Sequence, residues 1–272
     1  MARAVEEQET KVAARDDAVA IVAGNRLLPL VDGPARLEAL VSLIESARRS
    51  LRLLYYTYAD DAAGARVRDA LVAALHRGVS IAMILDDFGS SDAGDAFLAP
   101  LREAGADLCR FMPRLGRRYL LRNHQKLALA DEARAIIGGF NISDDYFGAD
   151  AQAWRDLGLF VEGPAAARLA GYFDALAAWT RTPRAPIRLL RRALYRWSEP
   201  RGRVRWLLGG PARRLSPWVR TIKRDMRSAR PFRIRWVGPV AAHVPFVTHG
   251  RSCPMVETKI SKGVSMHSPE NF

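Results

Sequence analysis

The stretch NHQKLALADEARAIIGGFN, residues 123–141, holds two β-prone runs, HQKLALA and RAIIGGF, parted only by Asp131, Glu132 and Ala133. That arrangement predicts a hairpin. Side chains alternate along a strand, so His124, Lys126 and Ala128 share one face while Gln125, Leu127, Leu129 and Asp131 share the other. The two leucines anchor their face in a core, and the small alanines leave room on the face of the His–Lys pair. Asp131 has the wrong parity to join the pair directly, which assigns it to the turn or to a structural hydrogen bond there.

An imidazole beside an ammonium suits an anionic phosphorus centre. The ammonium stabilises phosphate oxygens, and a neutral ring nitrogen can attack or carry a proton, with no metal and no organic cofactor required. Gly138 and Gly139 let the backbone approach a substrate closely, and Asn141 can donate an amide hydrogen bond to a phosphate oxygen. A plainer account makes this a hairpin with an exposed His and Lys and a glycine bulge. The conjunction of His, Lys and Asp at fixed spacing with a following Gly-Gly and Asn argues for chemistry instead.

Outward from the hairpin, the chain alternates strand and helix. PARLEALVSLIESARRS (34–50) has Leu37, Leu40, Val41, Ile44 and Ala47 at helical spacing after a first-turn proline. LRLLYYTY (51–58) reads as a strand, ARVRDALVAALHRG as a helix stopped by Gly78, and VSIAMILDD (79–87) as a continuous apolar strand. A helix near 94–104, the strand ADLCRFM, the strand DLGLFVEG (156–163) and the helix PAAARLAGYFDALAAWT (164–180) follow. This rhythm predicts an α/β lobe, a mixed sheet flanked by helices. Asp86 and Asp87 end a strand and are read as loop hydrogen-bonding groups, not a magnesium pair. His76 is placed at a helix C-terminus, where its charge favours the dipole.

With 272 residues, 49% of them hydrophobic, the chain can bury a full core. Cys109 and Cys253 are too few and too far apart for a disulfide framework or a zinc site, and Cys109 is read as a buried small hydrophobe. Residues 1–26 form a charged extension without the apolar core of a signal or anchor, and no 18-residue apolar stretch follows. The formal charge of +13 is local: residues 181–235 hold 18 Lys and Arg against Glu199 and Asp225. Interleaved with Tyr195, Trp197, Trp206 and Trp218, that basicity fits an anionic lipid surface, with nucleic acid as the less favoured partner.

His124, Lys126 and Asp131, with Gly138-Gly139 and Asn141, resemble the H-x-K-x4-D signature of the phospholipase D superfamily. Residues 27–180, including RGVSIAMILDDFGS, GGFNISDDYFG and WRDLGLFVEGPA, resemble the first lobe of bacterial cardiolipin synthases. The resemblance implies a phospholipase D-like lobe and a two-step transfer, in which a motif histidine forms a phosphohistidine and an alcohol or water then displaces it. It makes His124 the nucleophile or its general-acid counterpart, with Lys126 and Asn141 holding phosphate oxygens. Asp156 would fix the tautomer of His124 from its far nitrogen. Asp144, Asp145 and Tyr146 fall in the substrate-side loop or in a helix cap.

The family builds its site from two such motifs, and this sequence has one: His76, His243, His249 and His267 lack a lysine two residues on. Residues 181–217 are expected to be an Arg/Trp-rich connector, and residues 218–272 a truncated or aberrant start of a second lobe. The missing motif would come from that lobe or from a homodimer partner. The implied function is cardiolipin formation from phosphatidylglycerol by a protein peripheral to the inner face of the plasma membrane, with this chain expected to be an incomplete copy of such an enzyme. The alternative is a homodimeric one-motif phosphodiesterase or nuclease.

Overall fold

The computed structural model describes residues 19–111, 122–149, 153–198 and 201–209, with Thr221, Lys223, Arg224 and Arg227; all fall in the first of two compact units, Met1–Gly238. In chain order its elements are β1 (Ala20–Val22), β2 (Asn25–Leu30), α1 (Gly33–Glu45), β3 (Ser50–Tyr55), α2 (Ala62–His76), β4 (Ser80–Asp86), α3 (Asp95–Glu103), β5 (Asp107–Phe111), β6 (Leu127–Ala130), β7 (Arg134–Gly138), β8 (Gly158–Glu162), α4 (Pro164–Arg181) and α5 (Ile187–Trp197). The strands form one mixed eight-stranded sheet in the order β1-β2-β8-β7-β6-β3-β4-β5. β3, β4 and β5 run parallel, and the remaining pairs are antiparallel.

Helices cover both faces, as the alternation predicts. On one side Leu51, Leu53 and Tyr55 of β3 join α1, α2 and α3, and on the other Leu54, Leu127, Leu129, Ala135 and Val161 meet α4 and α5. The parity expected for β6 holds, with its leucines under α4. Ala128 and Ala130, however, are fully buried in the core that includes α1. Their small size admits a helix and does not leave space for substrate.

Local chemistry explains the helix ends. Asp32 caps α1 by accepting from Ala35 N–H, and Asp61 caps α2 by accepting from Gly64 N–H at 2.8 Å. Asp144 assists the second cap: its carboxylate accepts from Ala63 N–H at 2.7 Å, and its own N–H donates to Asp61. This places Asp144 in a helix cap. His76 is the last residue of α2, as expected, and Cys109 is buried.

Two parts of the fold differ from the sequence expectation. The sheet begins at Ala20, inside the segment expected to be an extension, because Ala23 and Gly24 both take positive φ and turn β1 tightly into β2. Pro29 argues against a strand, yet it lies past the reach of β1, where a missing N–H costs no ladder bond on the outer side. The second difference is the connector. Residues 187–197 form α5, whose Leu190 and Leu194 are fully buried against α4, each contributing on the order of 2 kcal/mol. Contact is close enough that a Cβ on Gly171 of α4 would lie 2.1 Å from the Trp197 ring. Trp206 is also buried and donates its indole N–H to Ala165 O. The expectation for 218–272 falls outside the described residues, apart from the four isolated positions named above.

Asp131 sits in the β6–β7 turn with φ of 54°, at the opposite end of β6 from His124. Its carboxylate accepts from the backbone N–H groups of Arg48, Arg49 and Ser50 at 3.0, 2.7 and 3.0 Å and pairs with Arg134. Partial burial pushes its pKa up, but those N–H groups and Arg134 outweigh burial and hold it below the ordinary value. It therefore fastens the α1–β3 connection to the hairpin and stands apart from His124 and Lys126. A depressed carboxyl stabilises the fold above its unfolded pKa and loses that contribution as pH falls through the folded one. Asp131→Ala is expected to lower unfolding free energy by about 2 kcal/mol at neutral pH. In denaturant titrations the deficit should shrink below about pH 4; an equal deficit at both pH values would contradict this role.

Candidate active site

The C-terminal ends of β3, β4 and β7 meet the N-terminal ends of β6 and β8 at one edge of the sheet. His124 and Lys126 lie just before β6, which begins at Leu127, so the predicted strand is shorter than HQKLALA. They nevertheless come together: Lys126 Nζ is 2.9 Å from His124 Nδ1 and donates to the His124 carbonyl at 2.8 Å. The imidazole packs on Tyr56 with ring centroids 4.5 Å apart, and the ammonium lies 5.4 Å from the same ring centroid.

Lys126 is only 6% exposed. Burial lowers its pKa to about 8, against the opposing pull of the Asp156 and Asp86 carboxylates. His124 is solvent-exposed as a residue, and its packed side meets Tyr56 and Lys126. Desolvation of that packed side, then the ammonium, lowers its pKa to about 4. At neutral pH the ring is uncharged and the lysine protonated, so Lys126 donates to Nδ1 and the ring proton resides on Nε2.

Asp156 occupies the site without bonding to His124. Its carboxylate accepts from Leu157 N–H at 2.6 Å, and its charge acts on Lys126 without an ion pair. This corrects the expected partnership: the lysine holds Nδ1, and the aspartate supports the lysine. Burial raises the Asp156 pKa, opposed by the Leu157 N–H, Arg36, Lys126 and the Gly139 N–H. The glycine pair serves the same packing. A Cβ on Gly139 would lie 2.4 Å from Asp156 Oδ1, and one on Gly138 would lie 2.8 Å from Leu157 O. The close approach expected for substrate is thus made by the protein's own Asp156–Leu157 segment, just before β8.

Asn141 is buried, with its Oδ1 accepting from Thr57 N–H at 3.1 Å and its Nδ2 donating to Tyr146 Oη at 2.9 Å. It joins the exit of β3 to Tyr146. Asp86 is buried and accepts from Phe88, Gly89 and Asn123 N–H groups, the last at 2.8 Å. The loop role assigned to it is what it performs, and it holds the residue immediately before His124.

Sequence reasoning missed Tyr56 and Arg36. Arg36 is buried in α1 and donates to the carbonyls of Val31, Tyr146, Trp154 and Asp156, the last at 2.6 Å. One guanidinium thus ties the backbone of Tyr146, Trp154 and Asp156 to α1. Its signal is positional: Arg36 precedes Leu40 and Ile44 by four and eight residues and so sits on the apolar stripe of its helix. Tyr56 carries no comparable mark, since an aromatic in LRLLYYTY reads as core.

A family model described as cardiolipin synthase, PLD-like domain, matches residues 40–177. The chain belongs to this family. The PLD-like domain is 34% identical over 151 residues to cardiolipin synthase 1 of Bacillus anthracis, covering 53% of this chain and 30% of that protein. It is 34% identical over 142 residues to the major cardiolipin synthase ClsA of Bacillus subtilis, covering 50% and 30%. The chain thus spans about 30% of the length of these relatives. Among solved structures, NucT from Helicobacter pylori aligns at 19% identity and a TM-score of 0.46, over 55% of this chain and 94% of that one. The phosphatidylserine synthase of Haemophilus influenzae aligns at 13% and 0.46, over 63% and 42%. Both structural likenesses are loose. His124, Lys126, Asn141 and Asp156 all fall inside the family match, whereas Arg36 and α5 lie outside it.

The PLD-like domain should show its histidine by NMR titration. His124 is expected to titrate near 4, and Lys126→Met, which removes the neighbouring positive charge, to raise that value toward the free-histidine range of about 6.5. An unchanged or lower value in the variant would show that Lys126 does not act on the ring.

Proposed function

We propose that this domain performs phospholipase D-type phosphodiester chemistry on an anionic phospholipid, with His124 as the nucleophile. The observation that carries this reading is an uncharged imidazole held by a buried ammonium in a PLD-like domain of the cardiolipin synthase family. A phosphodiester oxygen entering the site competes for Lys126 and draws the ammonium off Nδ1. The unprotonated ring nitrogen then attacks phosphorus, forming an N–P bond as the P–O bond to the headgroup alcohol breaks. The departing oxygen takes a proton from a second acid, and the attacking alcohol of the next step gives one up. Lys126 and the side-chain amide of Asn141 steady the phosphate oxygens, and Asp156 supports Lys126.

Phosphatidylglycerol is the proposed donor and a second phosphatidylglycerol the acceptor, giving cardiolipin and glycerol at the inner face of the plasma membrane. The second acid would come from another lobe or from a homodimer partner, because His124 heads the chain's single His-x-Lys motif. The strong basicity of residues 181–235 favours a second reading, phosphodiester hydrolysis of nucleic acid.

The test is to supply phosphatidylglycerol vesicles and, separately, single-stranded DNA to the full chain. Cardiolipin and glycerol should form, with His124→Ala reducing the rate at least 1,000-fold, on the order expected for a covalent nucleophile. DNA cleavage without lipid transfer would replace this reading with the second, and undiminished transfer by His124→Ala would remove the histidine from the mechanism.

A further inference from the structure

The tryptophans expected to meet lipid are committed elsewhere: Trp197 packs on Gly171 and Trp206 is buried, while Trp218 lies outside the described residues. Part of what the basic segment shows to solvent is the outer face of α5. Its buried stripe, Leu190 and Leu194, fixes the helix on α4. The opposite side bears Arg188, Arg191, Arg192 and Arg196, all exposed, and α5 contains no acidic residue. Among the described residues none of Arg188, Arg191 and Arg192 forms an ion pair with a carboxylate. Two apolar side chains project from the same side, Leu189 at 44% exposure and Tyr195 at 58%.

We infer that this face of α5 docks on an anionic phospholipid bilayer. Eleven helical residues present a basic strip roughly 16 Å long. Guanidinium groups spaced along it meet lipid phosphates, and Leu189 and Tyr195 enter the headgroup–acyl boundary. Against a nucleic-acid backbone the arginines would serve equally, but an exposed leucine would gain nothing. The face is also tied to the site. Ser198 Oγ, just after α5, accepts from Leu208 N–H, and Gly209 O accepts from Gln125 Nε2 at 2.6 Å. Gln125 stands between His124 and Lys126 and also accepts from Tyr172 Oη of α4. The docking helix and the catalytic loop therefore share one hydrogen-bonded support.

This inference takes its occupant from the phospholipid reading but not its catalytic step, so the two fail separately. The experiment is flotation of the full chain with vesicles of equal parts phosphatidylglycerol and phosphatidylcholine, and with phosphatidylcholine alone, at low and high salt. DNA retention is measured alongside. The wild type should partition to the anionic vesicles only. Arg188→Glu with Arg192→Glu should lower partitioning at least tenfold, and Leu189→Ala with Tyr195→Ala several-fold, with circular dichroism unchanged because all four side chains face outward. The milder pair decides the matter if the charge reversals unfold the protein. His124→Ala should bind vesicles as the wild type does while losing transfer; vesicle binding by the wild type without any transfer would leave the docking face standing and count against the catalytic reading alone. Absence of vesicle binding, wild-type partitioning by the folded variants, or losses confined to DNA retention would each overturn the inference.

Discussion

Lys126 places an ammonium at the mouth of β6 almost out of contact with water, and a charge in that position has to be compensated by its surroundings. Much of the site follows from that requirement. The carbonyl and Nδ1 of His124 accept from it, the ring of Tyr56 lies beside it, and the carboxylates of Asp156 and Asp86 counter the cost of its burial. Each of these is held in turn. Arg36 fixes the backbone of Asp156 from α1, Gly139 makes room for its carboxylate, and Asp86 grips Asn123, one residue before the histidine. The result is an imidazole kept uncharged at neutral pH beside a cation suited to phosphate oxygens.

What the sequence reveals depends on whether a residue's surroundings are local. The β6–β7 hairpin, the parity of Leu127 and Leu129, the apolar run of β4 and the turn position of Asp131 are legible because each is governed by neighbours along the chain. The glycine pair is legible as a close approach but not as an approach to Asp156, since that partner is set by the register of β7 against β8. The same holds for Ala128 and Ala130, which fit beneath α1. Lys126 intervenes between His124 and Asp156 for a reason no spacing encodes: its side chain folds back on its own strand entrance. β1 and β2 are short and interrupted by Pro29, and α5 is hidden by arginines whose buried leucine stripe is only two residues wide.

The family match ends at residue 177, within α4, yet the fold continues. α5 packs along α4, and the segment from Trp206 to Gly209 meets α4 at Ala165 and the His124–Lys126 segment at Gln125. The residues that position the site therefore extend beyond the matched stretch on both sides, to Arg36 before it and Gly209 after it. A basic stretch that reads as a linker is, in its described part, a structural layer on the lobe.

The proposed mechanism requires a covalent bond between His124 and phosphorus. The most direct measurement is intact-protein and peptide mass spectrometry after rapid quenching with phosphatidylglycerol vesicles. An acid-labile phosphatidyl adduct is expected on His124, forming before product and absent from His124→Ala. Turnover with no adduct on this residue, or an adduct on another, would contradict that mechanism.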